Sequence, residues 1–252
     1  MPEANDSYDL YEGMTSISAL LDNDEFGQRI MEVLVDETKK HSKAREIAFL
    51  QAKSKELNFS LRFVKTAEIE AIASGKTHGG ILARCKSKEI PRLTMDDIRP
   101  GAFYAYLDGI EDPYNFGYTL RSLYAAGVCG VILTERNWMN ASGLVAKASA
   151  GTSEKLPLFV SDIENAVELF KKAGYRIAAA GIRDSESVFS ADCSYPLLLV
   201  VGGEKRGISG SLLEKCDLVL KIPYARPFRG SLPTACAASV LAFEIFRKNS
   251  DA

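Results

Sequence analysis

The sequence predicts an α/β protein whose larger part is a parallel sheet with helices on both faces. Apolar segments alternate with amphipathic ones along the 252 residues, which is the pattern of repeated strand–helix units. Two of the strand segments, VCGVIL and LLLVVG, are continuously apolar, as strands covered on both faces usually are.

A smaller α/β pattern occupies the N-terminal third. Residues 1–92 are therefore expected to form a first domain. The segment EIPRLTMDDIRPG carries two prolines, mixed charge and no clear period, so residues 93–101 are predicted to be a linker. In the first domain, helices are predicted near residues 13–24, 42–57 and 66–74, and strands near residues 26–36, 59–64 and 77–86.

Residues 102–252 are predicted to hold the parallel sheet. Ligands of such sheets bind beyond the carboxyl ends of the strands, where the strand order reverses. Three loops expected at this edge have unusual compositions: DPYNFG, GGEKRGIS and PYARPFRGSLP. The predicted strands lie near residues 103–108, 128–133, 157–160, 175–181, 196–202 and 218–222, and the predicted helices near residues 116–126, 142–150, 162–173, 209–215 and 234–248.

Composition limits the class of protein. Hydrophobic residues make up 46% and charged residues 25% of the chain, as in globular domains. No apolar run approaches the roughly 20 residues of a membrane span, and the acidic N-terminus lacks a signal-peptide pattern. The five dispersed cysteines favour reduced thiols, so a cytoplasmic protein is expected. No group of His, Cys and carboxylates has metal-ligand spacing, so no metal site is expected.

Charge is distributed unevenly although the net charge is only −2. Residues 1–37 hold ten acids and one base, a balance of −9, and residues 39–92 hold thirteen bases and five acids, a balance of +8. The basic stretch is either a surface for a polyanion or a solvated face that keeps the domain soluble.

The loop GGEKRGIS follows a strand but fits no nucleotide fingerprint. Gly202, Gly203 and Gly207 do not have the spacing of G-x-G-x-x-G, and Ile208 stands where a phosphate-binding loop needs lysine. The small residues either let main-chain groups approach a ligand closely or simply make a tight strand-to-helix turn.

The segment DPYNFGYTLR predicts a tight turn and a helix with Asn115 as its N-cap. Arg121 lies off the apolar stripe of this helix, so it is either an ordinary surface arginine or points towards the other two loops. In the third loop Arg226 and Arg229 precede a helix containing ACAAS. Such small residues favour close packing, of backbone on backbone or of two subunits.

Taken together, three segments resemble the signature motifs of the SpoU/TrmH family, which are AdoMet-dependent RNA ribose 2′-O-methyltransferases of the SPOUT superfamily. The segments are LDGIEDPYNFGYTLRSLYAAGV, LVVGGEKRGIS and IPYARPFRGSLPTACAASV, and the resemblance covers about residues 103–247. LYEGMTSISALLDN and THGGILARCK resemble the substrate-binding domain of the rRNA-modifying branch, which is related to a large-subunit ribosomal protein. The likeness is greatest to the branch that methylates a guanosine ribose in large-subunit rRNA.

The resemblance implies a C-terminal trefoil knot, although chain-connection rules argue against knots in general. It also implies that S-adenosyl-L-methionine binds within the knot, mostly through main-chain groups. The implied cofactor positions are Gly202, Gly203, Ile222, Pro223, Ser231 and Leu232.

The same resemblance implies the catalytic and substrate residues. Arg121 is implied as the main catalytic residue, with Asn115 and Glu204 as helpers. Because a guanidinium stays protonated, we expect Arg121 to stabilise a forming alkoxide or to hold the adjacent phosphate. Arg226, Arg229 and the basic stretch are expected to bind RNA. The resemblance further implies a homodimer packed through the Ala/Ser-rich C-terminal helix and the motif-one helix, and no metal.

Two positions depart from the family pattern. Pro233 replaces the usual Asn of the third motif and lacks both a side-chain amide and a backbone N–H, and Gly203 replaces an Asn or Ala. An RNA-binding protein that has kept the scaffold without catalysis is therefore the main alternative. A tRNA ribose 2′-O-methyltransferase is a second alternative, and a small-molecule or protein methyltransferase, which the basic N-terminal domain disfavours, is a third.

Overall fold

The computed structural model describes residues 8–22, 27–134, 141–203, 208 and 210–250. The chain separates into two compact units. Unit 1 comprises Met1–Glu89 and Met139–Lys155, and unit 2 comprises Ile90–Trp138 and Leu156–Ala252. The segment 139–155 thus lies with the N-terminal residues, whereas the sequence placed it in the second domain.

Unit 1 is built on a four-stranded sheet with the order β1-β4-β2-β3. The β1–β4 and β4–β2 pairs are antiparallel, and β2–β3 is parallel. Helices and strands alternate as predicted, but the first strand is not a predicted element. The elements are β1 (Tyr8–Glu12), α1 (Gly13–Leu21), β2 (Ile30–Asp36), α2 (Ala44–Leu57), β3 (Ser60–Val64), α3 (Thr66–Ile72), β4 (Ile81–Lys86) and α5 (Ser142–Ala148).

Helix α5 belongs to unit 1 because it packs directly against β1. A Cβ on Gly143 would lie 1.7 Å from the Leu10 carbonyl oxygen, so the helix approaches the strand at a distance that only glycine permits. Lys147 Nζ lies 2.7 Å from Glu12 Oε2, and Ala146 is fully buried in the unit 1 core. Contacts over such a sequence separation have no local signal, which explains the difference from the predicted domain assignment.

Unit 2 is a seven-stranded sheet with the order β7-β6-β5-β10-β8-β11-β9. Every neighbouring pair is parallel, and helices flank the sheet, so the predicted fold class is confirmed. The trefoil knot stays a prediction, because strand order and pairing do not describe threading. The elements are β5 (Phe103–Asp108), α4 (Pro113–Ala125), β6 (Gly130–Leu133), β7 (Leu158–Val160), α6 (Ile163–Lys172), β8 (Arg176–Ala180), β9 (Glu186–Ser187), β10 (Leu197–Gly202), α7 (Gly210–Leu213), β11 (Leu218–Lys221) and α8 (Thr234–Ser250).

The strand order reverses between β5 and β10. On one side of β5 the sheet continues with β6 and β7. On the other side β10 is followed by β8 and β11. Gly202, the last residue of β10, pairs with Asp108, the last residue of β5. A ligand is therefore expected just beyond these two residues.

Helices α4 and α8 pack on one another in unit 2. Ser239 Oγ donates to Ser122 Oγ at 2.6 Å, and Ala238 and Ala242 of α8 are fully buried. The sequence left two explanations for the small residues of ACAAS: packing of backbone on backbone, or packing of two subunits. Packing within the chain accounts for the small residues that are buried. None of the described helices is long and apolar enough to cross a membrane.

Candidate functional site

A cavity of about 550 Å³ lies in unit 2 at the carboxyl ends of β8, β10 and β11. We call it the strand-end pocket. Its volume falls in the range of small-molecule sites. Five of the six predicted cofactor positions line it, and Pro223 does not. The five are Gly202, Gly203, Ile222, Ser231 and Leu232.

The walls of the strand-end pocket are largely apolar. Val201, Leu220 and Leu241 contribute aliphatic side chains from β10, β11 and α8. No Asp or Glu lines the pocket in the part of the chain that the structure describes. Apolar walls joined by main-chain N–H and C=O groups suit a ligand with a flat organic part and a few polar edges.

Gly203 makes the closest backbone approach in this pocket. A Cβ at this position would lie 2.2 Å from the Gly109 carbonyl oxygen and 2.6 Å from its carbonyl carbon. These atoms belong to the main chain just after β5, so they cannot rotate away as a side chain would. Glycine is therefore required at this position for the approach of the two main-chain segments, which the comparison with the family motif did not indicate.

Helix α4 begins earlier than predicted, so the assignment of Asn115 as its N-cap is wrong. The cap is Asp112, whose Oδ1 accepts from the Asn115 backbone N–H at 2.7 Å. Pro113 occupies the first turn, where its fixed φ and missing N–H carry no cost. Asn115 therefore lies in the first turn of the helix, and its carbonyl accepts from Thr119 Oγ1 at 2.7 Å.

Two of the predicted catalytic residues, Arg121 and Asn115, do not line the strand-end pocket of the same chain. Arg121 is exposed on α4, and neither it nor Asn115 is among the lining residues. Arg121 lies eight residues after Pro113, about 12 Å along the helix axis. Glu204 lies outside the described residues. The structure therefore brings together the cofactor positions but does not join them to Arg121 within one chain.

The two arginines of the third loop, Arg226 and Arg229, which are predicted to bind RNA, are both exposed, and Arg229 lines the strand-end pocket. Two aromatic residues beside them, Tyr224 and Phe228, also line it, and neither is among the predicted site residues. The sequence feature that could have indicated them is the alternation of aromatic and basic residues in PYARPFRG.

Pro233 immediately precedes α8. Its carbonyl accepts from the Ala237 N–H at 3.0 Å, the bond expected at the start of a helix. A residue at this position needs no N–H partner, so proline fits the backbone without loss of a helical hydrogen bond. The departure from the family pattern therefore concerns only the missing side-chain amide.

The basic stretch of unit 1 is partly neutralised. Glu32 pairs with both Arg62 and Arg84, at 3.2 and 2.6 Å. Lys43, just before α2, pairs with Glu46, and Lys53 within α2 pairs with Glu56. Within the described part of this stretch, six exposed lysines have no ion-pair partner; they are Lys39, Lys40, Lys55, Lys65, Lys76 and Lys86. No group of three or more His, Cys, Asp or Glu that could hold a metal ion occurs in the same described residues.

Two family models match the chain. Residues 102–243 match the SpoU rRNA methylase family, and residues 10–91 match the RNA 2′-O ribose methyltransferase substrate-binding domain. A Staphylococcus saprophyticus protein named as a TrmH family tRNA/rRNA methyltransferase is 31% identical over 230 residues, which are 89% of this chain and 90% of that protein. Bacillus subtilis YacO, which is named likewise, is 29% identical over 78% of this chain and 81% of its own length.

Solved structures share the fold. An AdoMet-bound rRNA methyltransferase from Sinorhizobium meliloti superposes with a TM-score of 0.78 at 22% identity, over 96% of this chain and 88% of that one. The SpoU methyltransferase AviRb from Streptomyces viridochromogenes, in complex with AdoMet, gives a TM-score of 0.76 at 21% identity over 96% and 90% of the two chains.

Proposed function

Because the chain belongs to the SpoU rRNA methylase family, we propose that it transfers a methyl group from S-adenosyl-L-methionine to a ribose 2′-hydroxyl of RNA. We favour rRNA as the substrate, and the cytoplasm as the location. The observation that carries the proposal is the strand-end pocket. It collects Gly202 and Gly203 from the end of β10 with Ile222, Ser231 and Leu232 from the segment between β11 and α8, beside the point where the strand order reverses.

The pocket residues fit this cofactor. Gly203 lets the main chain after β10 lie against the main chain after β5, which leaves peptide groups rather than side chains at the pocket floor. The apolar walls would cover the flat adenine, and the main-chain groups of Gly202, Ile222 and Leu232 would bind its polar edges. When bound, the cofactor supplies a methyl group already activated on a sulfonium.

The protein then has to position the ribose and stabilise developing charge. The ribose 2′-hydroxyl would attack the methyl carbon in line and displace the sulfur as a neutral thioether, and the hydroxyl proton would pass to water. Arg121 would stabilise the forming alkoxide or hold the neighbouring phosphate, with Asn115 orienting it and Glu204 as a further helper. No step requires a metal.

We propose that the protein is a homodimer in which Arg121 serves the pocket of the partner subunit. Tyr114, Tyr118 and Arg121 lie on one exposed face of α4, at helical spacing. On α8, Val240 and Phe243 are exposed in the same way. Because α4 and α8 pack together, these residues form an apolar patch with a cation in it, and a second copy of the same patch would cover it.

Substituting Phe243 with Glu is expected to convert the dimer to a monomer, because the charge would be buried without a partner in the interface. The measurement is the molar mass by light scattering at micromolar concentration. Phe189→Glu is the matched control, because Phe189 is also an exposed aromatic residue of unit 2. A wild-type protein that is already a monomer under these conditions would exclude this interface.

Cofactor binding tests the proposed function most directly. Calorimetric titration of the wild type with S-adenosyl-L-methionine should show saturable binding, and Gly203→Ala should weaken it by about 10-fold or more, or ~1.4 kcal/mol. Gly75→Ala is the control, since its Cβ would meet only the ends of the Lys147 and Glu12 side chains, and Gly75 does not line the pocket. Circular dichroism checks that both variants fold. No binding to the wild type at millimolar cofactor would overturn the proposed function.

The specific observation that favours a second function is Pro233, which lacks the side-chain amide of the family motif. A protein that binds RNA without catalysis would bind cofactor weakly or not at all. Mapping 2′-O-methyl sites in rRNA and tRNA, with and without the gene, distinguishes an rRNA enzyme, a tRNA enzyme and this inactive alternative.

A further inference from the structure

We propose that Tyr224 and Phe228 form a stacking platform for an unpaired RNA base at the edge of the strand-end pocket. The inference rests on the proposed function, because it places RNA beside the site of methyl transfer. It deepens that function by assigning the base next to the reacting ribose to two aromatic side chains.

The first observation is the exposure of the two rings. Phe228 is 59% and Tyr224 40% exposed, in a loop whose residues from Pro223 to Ser231 are all exposed. Single exposed aromatic residues are common. Here, however, the two rings are in contact, with centroids 5.7 Å apart and planes at 61°, and both line the same pocket.

The second observation is that contacts within the loop hold both rings in place. Tyr224 Oη accepts from the Leu232 N–H at 3.2 Å, which ties the start of the loop to its end. Phe228 lies on the backbone of Gly230, because a Cβ at Gly230 would be 2.6 Å from Phe228 Cζ. A ring that is fixed in this way loses little conformational entropy when a base stacks on it.

The third observation is the charge around the rings. Arg226 and Arg229 flank Phe228 in sequence, and Arg183 and Lys221 line the same pocket as Arg229. None of these four has an ion-pair partner among the residues that the structure describes. Exposed aromatic faces surrounded by free cations are what an unpaired, negatively charged strand requires, because bases stack on the rings and phosphates pair with the cations.

The platform favours single-stranded RNA over duplex. In a continuous duplex both faces of each base are covered by its neighbours, so no base face is available to Phe228. A target nucleotide in a loop or bulge has unstacked neighbours. We therefore expect the base adjacent to the methylated ribose, rather than the cofactor, to cover Phe228.

The kinetic test replaces Phe228 with Ala. We expect KM for RNA to rise by about 5- to 150-fold, the effect of removing one stacked base, while kcat and the dissociation constant for S-adenosyl-L-methionine stay nearly unchanged. Phe228→Trp should restore KM, because it keeps an aromatic face. Phe189→Ala is the matched control, since Phe189 is 53% exposed but does not line the pocket. A weaker affinity for the cofactor, with KM for RNA unchanged, would overturn the inference and assign the ring to the cofactor.

A binding test does not depend on catalysis. The chain contains one tryptophan, Trp138, so Trp138→Phe combined with Phe228→Trp yields a single fluorescent reporter in the loop. A single-stranded ten-residue RNA should quench it, and the same sequence in a continuous duplex should not. Equal quenching by both RNAs, or by S-adenosyl-L-methionine alone, would overturn the inference. If the proposed function fails because no cofactor binds, quenching by single-stranded RNA is still expected.

Discussion

Substituting Arg121 with Ala is expected to lower the rate of methyl transfer by about 10²- to 10³-fold, the usual effect of removing one donor that stabilises transition-state charge. Affinity for S-adenosyl-L-methionine should change little, because Arg121 does not line the strand-end pocket of its own chain. The measurements are single-turnover methyl transfer to RNA and a calorimetric titration of the cofactor.

Two further variants sharpen this prediction. Arg121→Lys keeps the charge but loses the planar, bidentate geometry, so it should recover only part of the rate. Arg176→Ala is the matched control, because Arg176 is also a partly exposed arginine of unit 2 and pairs only with Asp192. Near-normal turnover by Arg121→Ala would show that the assigned role is wrong.

A mixed dimer decides which pocket Arg121 serves. One subunit carries Arg121→Ala with an intact pocket, and the other carries Gly203→Ala with an intact arginine. If Arg121 acts across the interface, the intact pocket receives the intact arginine, and about half of the wild-type activity is expected. If Arg121 acts within its own chain, both sites are damaged. At cofactor concentrations below the wild-type dissociation constant, at most about 5% of the wild-type activity is then expected, because the pocket that keeps its arginine binds the cofactor about 10-fold more weakly.

Much of the fold follows from local sequence patterns. Strands such as Leu197–Gly202 are continuously apolar and bounded by loop residues, so periodicity locates them to within a residue or two. Strand β1 was missed because its sequence, YDLYE, is short and half polar. The membership of residues 139–155 in unit 1 depends on the contact between Gly143 and Leu10, which no local pattern contains.

The candidate site also contains some residues that the sequence located and others that it did not. The motif resemblance located five lining residues of the strand-end pocket, because their positions follow from the backbone path that the motifs define. It did not indicate Phe228, whose ring is placed by the individual loop of this chain. Nor could a pattern in one chain indicate which subunit's pocket Arg121 serves, because that depends on how two copies pack.

Unit 1 contains a buried ion cluster. Arg29 Nη1 lies 3.2 Å from Glu154 Oε2, and Arg29 Nη2 lies 3.4 Å from Asp9 Oδ2. Lys88 Nζ lies 3.5 Å from Glu154 Oε2, and Tyr11 Oη donates to Glu154 Oε1 at 3.3 Å. The side chain of Glu154 is only 1% exposed. Two carboxylates are thus balanced by two cations, and the cluster holds the segment 139–155 to the first strands of unit 1.

Substituting Arg29 with Met is expected to lower the free energy of unfolding of unit 1 by about 3–5 kcal/mol, because two buried carboxylates would share one remaining cation. Hydrogen exchange of the β1, β2 and β4 amides measures this in the full chain. Arg62→Met is the control: Arg62 pairs with Glu32 at the surface, where its side chain is 54% exposed, and a loss of about 0–1 kcal/mol is expected. Equal losses for the two variants would contradict a special role for the cluster.

The pH dependence separates lost charge pairing from lost packing. Burial raises the pKa of Asp9 above its ordinary value, and the charge of Arg29 opposes that rise. A carboxylate whose pKa is raised by folding holds its proton longer in the folded state, so its contribution to the free energy of unfolding falls as pH rises through that window. Without Arg29 the pKa of Asp9 should rise further. The penalty of Arg29→Met should therefore grow as pH rises from the folded-state pKa of Asp9, which lies above the ordinary value of about 4, towards neutral pH. A penalty that stays constant over this range would mean that Arg29 acts through the packing of its aliphatic stem rather than through its charge.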